Sequence, residues 1–243
     1  MSNPPIRINP DLDLAAAAAS YKRDGWVQIA DIFEPETAEY LATLLETRID
    51  WDLAFQGEDG RPAVLNRDQI LAQGDAALQQ RLRAMMTKAG AGYGFLYLAY
   101  PLITAYLAGR DPGHPIHGLT EFLNDAFVKL GVTVTGRQDI VKADGQLTRY
   151  RPGDFIGLHN DVGSEASDRL VAYTLGLTRT WRADWGGQLL FHDAAGDVIR
   201  GHAPRWNTLT LFDVPQYHSV APVAAYAQGP RLSVVGWMRN AGR

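Results

Sequence analysis

The stretch Phe155-Ile-Gly-Leu-His-Asn-Asp161 is a short, mostly apolar run that ends on an imidazole and a carboxylate. Turn-forming Pro152-Gly-Asp154 precedes it and Asn160 interrupts its end, so it is too short for a helix and reads as a strand over Phe155–His159. Residues two apart on extended chain point to the same side, which aims His159 and Asp161 at one point. Runs of the same kind recur outward in both directions. Gln146–Tyr150, Leu170–Leu177, Gln188–His192, Thr208–Phe212, Tyr217–Pro222 and Arg231–Met238 are each separated by Gly, Pro, Asp or Asn. Many short strands at close spacing predict a sandwich or barrel rather than alternating strand–helix units.

Before about Gln138 the period changes to that of helices. Asp11–Arg23 is Ala-rich and stops at Gly25, and Gly25–Ile29 is a short strand candidate. Pro35 opens a helix with Ala38, Leu41, Leu45 and Ile49 on one face. Asp75 caps another, ended by Gly90, and Thr120–Leu130 is a third, ended by Gly131. No linker or break in composition divides the chain. The expectation is a single domain over 1–243, mainly β with N-terminal helices: residues 1–137 are mostly helical support and 138–243 form the β core.

Composition narrows the chemistry. The chain has 243 residues, 46% hydrophobic and 21% charged, as an ordinary globular protein has. The net charge of −4 argues against phosphate-backbone binding, so no nucleic acid is expected. There is no cysteine, which excludes disulfides, thiolate zinc sites, iron–sulfur clusters and cysteine nucleophiles. Any metal must sit on carboxylates and the six histidines. Met1-Ser-Asn-Pro-Pro5 lacks the charged and apolar regions of a signal peptide, and no run approaches the ~18 apolar residues of a membrane span. The expectation is a cytoplasmic protein without membrane contact.

A second imidazole, His218, lies 57 residues beyond Asp161 in another strand candidate, Tyr217-His-Ser-Val220. Two imidazoles and one carboxylate can occupy one face of a metal and leave three positions open, the arrangement of non-haem Fe(II) oxygenases. Thirteen residues further comes Arg231-Leu-Ser-Val-Val-Gly-Trp237. On a strand, Arg231, Ser233, Val235 and Trp237 share one face, and a guanidinium inside a barrel is costly unless it meets an anion. A forked guanidinium beside a hydroxyl suits a carboxylate.

Together, Thr148-Arg-Tyr-Arg-Pro-Gly153, Gly157-Leu-His-Asn-Asp161, Trp185-Gly-Gly-Gln-Leu189, Pro204-Arg-Trp-Asn207, Thr210-Leu-Phe212, Tyr217-His-Ser-Val220 and Arg231-Leu-Ser-Val-Val-Gly-Trp237 resemble the 2-oxoglutarate- and Fe(II)-dependent dioxygenases, in the prolyl-4-hydroxylase-like branch. The resemblance covers roughly Gln146–Met238 and, more loosely, Gly25–Glu46. It implies a double-stranded β-helix, a jelly-roll or cupin-like core braced by α-helices. It implies Fe(II) on His159, Asp161 and His218, and 2-oxoglutarate whose distal carboxylate pairs with Arg231 and accepts a bond from Tyr150. Ser233 and Trp237 would line the co-substrate pocket, O2 would be the oxidant, and ascorbate is a candidate reductant. Asp161 keeps the carboxylate that halogenases of the superfamily lack, which favours hydroxylation.

The implied activity is hydroxylation of an unactivated C–H, on a prolyl residue of a protein or peptide, with release of succinate and CO2. Two other readings fit the residues: a hydroxylase of a free amino acid or other small molecule, and a non-catalytic cupin-like binding protein. Neither the oligomeric state nor a lid role for Gln56–Gly74 follows from the sequence. His114 and His117 read as loop residues, and His192 and His202 as solvated flanks of the Asp193–Gly201 turn region. Trp181 and Trp185 fit a substrate lip and a packed loop equally well.

Overall fold

The computed structural model describes residues 4–162 and 168–240. Met1–Asn3, part of the stretch without signal-peptide character, lie outside the described residues. In chain order the elements are α1 (Leu14–Asp24), β1 (Trp26–Ala30), α2 (Pro35–Thr47), β2 (Asp52–Gln56), β3 (Pro62–Leu65), α3 (Arg67–Gln73), α4 (Asp75–Ala89), β4 (Phe95–Tyr100), α5 (Leu102–Leu107), α6 (His117–Phe122), α7 (Val128–Thr135), β5 (Lys142–Ala143), β6 (Gln146–Tyr150), β7 (Phe155–His159), β8 (Arg169–Leu177), β9 (Leu189–His192), β10 (Val198–His202), β11 (Trp206–Asp213), β12 (His218–Val220) and β13 (Arg231–Arg239).

Local chemistry accounts for the helix ends. The Asp13 carboxylate accepts from the Ala16 N–H to open α1, and Gly25 closes it in the left-handed conformation. Asn66 and Gln69 cap α3 reciprocally. The expected helix over Thr120–Leu130 is instead α6 and α7 joined by a π-helical turn at Leu123–Phe127, and it runs on to a left-handed Gly136. Gly131 does not stop it. A Cβ there would collide with the Met238 side chain, so Gly131 lets α7 lie close on β13.

All strand pairs are antiparallel, in the order β1-β11-β8-β13-β6-β4-β7-β12-β9-β10, with β2 and β3 continuing from β4, and β5 on β13. The first half thus supplies more than support: β4 stands between β6 and β7, at the bend of the sheet. The sheet curls until its two ends face each other. Trp26 of β1 meets His202 of β10 at 4.8 Å between ring centroids and Phe191 of β9 at 6.2 Å. The result is the expected double-stranded β-helix, open on the β1/β10 side.

Strand alternation divides the two faces. Val171, Tyr173, Leu175, Leu209, Leu211, Leu232, Val234 and Met238 point outward into one core shared with α1, α2, α5, α6 and α7. Leu53, Phe55, Leu65 and Met85 form a smaller core between the β2–β3 hairpin and α4. The Gln56–Gly74 stretch is therefore the end of a hairpin followed by α3. The inward face of β6, β8, β11 and β13 is polar by contrast, carrying Thr148, Thr174, Thr208, Thr210, Arg231 and Ser233.

Candidate metal centre and anion pocket

His159, Asp161 and His218 converge inside the curl, with one ligand-competent atom from each within 4.8 Å of the others. His159 Nε2 lies 3.4 Å from Asp161 Oδ1, and His218 Nε2 lies 3.5 Å from Asp161 Oδ2. The two imidazoles are cross-strand partners of β7 and β12. Each ring is oriented by a backbone carbonyl: Nδ1 of His159 donates to Gly157 O at 2.9 Å, and Nδ1 of His218 to Gln216 O at 2.7 Å. A carbonyl only accepts, so both Nδ1 atoms carry the proton and both Nε2 lone pairs point at the common centre.

Simple alternation does not produce this convergence. His218 pairs with His159, but Val220 pairs with Ile156, so three residues of β12 face four of β7. This β-bulge reverses the phase of β7. Phe155 packs outward in the α4 core, while His159, of the same parity, turns inward. Asp161 lies beyond the end of the strand and reaches the site through a left-handed residue, φ +62°. The expectation that His159 and Asp161 share a strand face is therefore corrected: a bulge and a left-handed turn bring them together.

Electrostatics suit a metal. Burial, reinforced by the neighbouring His159, pushes the His218 imidazole down to about 4, so it is neutral and available as a ligand at neutral pH. Burial alone would push the Asp161 carboxyl up, but His159, His218 and the Trp237 indole N–H outweigh it and hold the carboxyl below its ordinary value. Among the described residues the Trp237 Nε1–H has no acceptor at hydrogen-bond distance, so its help to Asp161 is that of a dipole at longer range.

Arg231 occupies the far end of the same inward face. It is buried, and burial pushes its guanidinium below the usual value. Among the described residues no carboxylate lies within ion-pair distance of it; its Nη1 donates to Ser233 Oγ at 3.1 Å. Tyr150 is its cross-strand partner, with the guanidinium 5.1 Å from the ring centroid. Burial pushes the Tyr150 phenol well above its ordinary pKa, so it stays protonated. Ser233 is fixed from behind by Thr148, 2.8 Å away. A buried cation, a phenol and a hydroxyl thus converge, with no anion beside them among the described residues.

Trp237 lies at the opposite end of the inward face from Arg231. It lies six residues along β13 from Arg231, about 20 Å of extended chain, and belongs to the Asp161 end of the site. Two tyrosines escaped the sequence reading. Tyr97 stacks on Tyr150 at 5.0 Å and accepts from Gln146, and Tyr93 covers the His159 ring at 5.7 Å. The signal was present as the period-2 pattern Phe95-Leu-Tyr-Leu-Ala-Tyr100.

The other histidines divide. His114 and His117 bond to backbone carbonyls of Arg48, Arg110 and Asp111, as structural residues do. His192 bonds to Ser219 and Gly196 O. His202 is not solvated: the turn region holds an additional strand, β10, and His202 is buried against Trp26 and Phe191. Trp181 and Trp185 pack edge to face at 5.4 Å against the cluster of Tyr97, Tyr150 and Val223, which favours the packed-loop reading.

Residues 145–239 match the sequence model of the 2OG-Fe(II) oxygenase superfamily. Over 101 residues the chain is 30% identical to prolyl 3-hydroxylase OGFOD1 of Mus musculus, covering 39% of this chain and 18% of that protein. With the Xenopus laevis protein of the same name it is 28% identical over 141 residues, covering 55% of this chain and 27% of that one. The chain thus spans well under a third of the length of these curated relatives. Its fold is shared with a Pseudomonas putida prolyl-4-hydroxylase (TM-score 0.60, 22% identity, 94% of this chain and 100% of that one). It is shared equally with a Trichoplax adhaerens prolyl hydroxylase solved with a hypoxia inducible factor peptide fragment (TM-score 0.60, 15% identity, 93% and 89%).

Over residues 145–239 the chain is thus similar to the 2OG-Fe(II) oxygenase superfamily, and its fold is that of prolyl hydroxylase structures. The family implies Fe(II), 2-oxoglutarate and O2, and the residues present fit them: three convergent ligand atoms at one end, an uncompensated buried cation at the other. No helix among the described residues is long and apolar enough to cross a membrane.

Proposed function

We propose that this protein is an Fe(II)- and 2-oxoglutarate-dependent dioxygenase that hydroxylates an unactivated carbon of a prolyl residue in a protein or peptide, working as the single domain expected from the sequence. The observation that carries the reading is Arg231, a buried guanidinium with no carboxylate partner among the described residues, on the same inward face as the His159–Asp161–His218 cluster.

His159, Asp161 and His218 would hold the metal on one face and leave the opposite face open. Arg231 and Tyr150 would bind the distal carboxylate of 2-oxoglutarate, so its other end points along β13 toward the metal. Ser233, tied to Thr148, keeps the guanidinium in that direction. Tyr93 and Tyr97 pack beside His159 and Tyr150 and would line the approach to the pocket. The bound metal and co-substrate would supply O2 activation coupled to decarboxylation, giving a hydroxylated carbon, succinate and CO2. The peptide as substrate is supported by the curated relatives, which are named as prolyl hydroxylases.

The test is succinate release from 2-oxoglutarate, measured with added Fe(II), with and without Pro-containing peptides. Turnover that needs Fe(II), rises with peptide and disappears in His159→Ala is the expected result. No succinate under any of these conditions would leave the non-catalytic binding reading standing. Stimulation by free proline but not by peptides would move the substrate to the small-molecule class.

A further inference from the structure

Asp161 is the least secured of the three candidate ligands. It lies outside the sheet ladder, in a left-handed conformation that L-residues other than Gly adopt at a cost, although Asp tolerates it better than most. The arrangement around it shows what holds it. Arg169, the first residue of β8, donates from Nη1 to the Asp161 carbonyl at 2.9 Å. The same guanidinium lies flat over the Trp237 indole, 3.7 Å from the ring centroid, and the Trp237 N–H in turn favours the charged Asp161 carboxylate. One side chain therefore bonds the Asp161 backbone directly and covers the indole, whose N–H acts on the carboxylate only at longer range. Arg239, the cross-strand neighbour of Arg169, lies farther from the ring, at 6.0 Å, and pairs with Asp144 and Asp168.

We infer that Arg169 is a positioning residue for the metal centre: by bonding the Asp161 carbonyl and clamping Trp237, it holds the Asp161 carboxylate in the ligating direction. This rests on the reading of His159, Asp161 and His218 as metal ligands. Residues that orient a ligand without touching the metal commonly matter 10–100-fold for metal affinity.

Co(II) serves as the probe, titrated into the chain and followed by calorimetry and by its visible absorption, with affinity counted per folded molecule from circular dichroism. Arg169→Ala is expected to raise the Co(II) Kd about 10–100-fold and to alter the absorption spectrum. Arg169→Lys reaches the carbonyl but cannot cover the indole, and is expected to fall between the two. Arg239→Ala is expected to lose thermal stability with the Co(II) Kd unchanged. Should Arg169→Ala fail to fold, a Kd for folded Arg169→Lys raised at least about threefold supports the inference. A Kd within about twofold of the parent in Arg169→Ala, or in Arg169→Lys if only that variant folds, would overturn it and leave Arg169 a structural residue. An equal loss in Arg239→Ala would overturn it too. If the parent chain binds Co(II) no better than His159→Ala, the metal reading itself fails, and the inference with it.

Discussion

A buried guanidinium that has no anion beside it among the described residues is an expensive thing for a fold to keep. Arg231 has Ser233 and the Tyr150 ring for company, and neither replaces the water it has lost. Stability and function therefore pull in opposite directions at this residue. Arg231→Met should raise the melting temperature of the ligand-free protein while removing its response to 2-oxoglutarate, both read in one thermal-shift series. A lower melting temperature would mean that the guanidinium supports the fold rather than waiting for a carboxylate. Arg231→Ala should raise the 2-oxoglutarate concentration for half-maximal turnover by at least ~30-fold, the cost of truncating one side of a buried charged contact.

His202 makes a second prediction at this scale. Burial, with Arg200 and Arg205 adding to it, pushes its imidazole from 6.5 down to about 4. An imidazole held neutral by the fold contributes stability above its ordinary pKa and loses it as pH falls toward the depressed value. The melting temperature should drop between about pH 6.5 and 4, and His202→Gln should flatten part of that slope; parallel curves for the two proteins would refute it. Such residues were unequally legible. Imidazoles, carboxylate and guanidinium were visible because each is a rare chemical type in a strand. Arg169 was not, since an arginine at the start of an apolar run looks like any strand end.

Among the elements, β7 decides the geometry. Its bulge is what allows His159 to face inward when Phe155 faces out, and Gly157 sits at that bulge. The Gly157 N–H donates to Gly94 O at 2.8 Å, and a Cβ at this position would stand 3.1 Å from the same oxygen. Gly157→Val should push β7 away from the segment before β4, displacing His159. Expected are an approximately tenfold loss of Fe(II) affinity and a destabilisation of about 1–3 kcal/mol. Titration of Fe(II)-dependent turnover and urea denaturation would measure them, and unchanged metal affinity would show that the bulge can re-form around a larger residue. Strand existence was legible from alternation and from bounding Gly, Pro and Asp. The bulge was not, because it exists only relative to β12, 59 residues further on at its His159–His218 pair. The stop expected at Gly131 erred for a related reason: a glycine that ends a helix and one that admits a neighbouring strand look alike until the neighbour is known.

Across the whole molecule, one curled sheet separates two tasks. The outward face is apolar and bears the helices, and the inward face mixes polar and aromatic groups and bears the candidate site. Phe127, fully buried, meets the Tyr173 ring edge-on at 4.7 Å behind the sheet. Phe127→Ala should cost about 3–5 kcal/mol in urea denaturation yet leave metal and 2-oxoglutarate affinities of the folded protein within about twofold. A large loss of either would mean that the helical layer sets the site geometry and does not only brace it. The amino-acid sequence by itself determined the fold class and singled out the candidate ligands and the candidate anchoring cation, because period, residue chemistry and spacing are local properties of a chain. Only the tertiary structure decided that β4 closes the bend, that a bulge and a left-handed aspartate bring the candidate ligands together, that His202 is buried, and that Trp237 lies nearer Asp161 than Arg231. Each of these depends on which distant strand lies alongside, and that is settled by the curl of the sheet as it buries its apolar face under the helices.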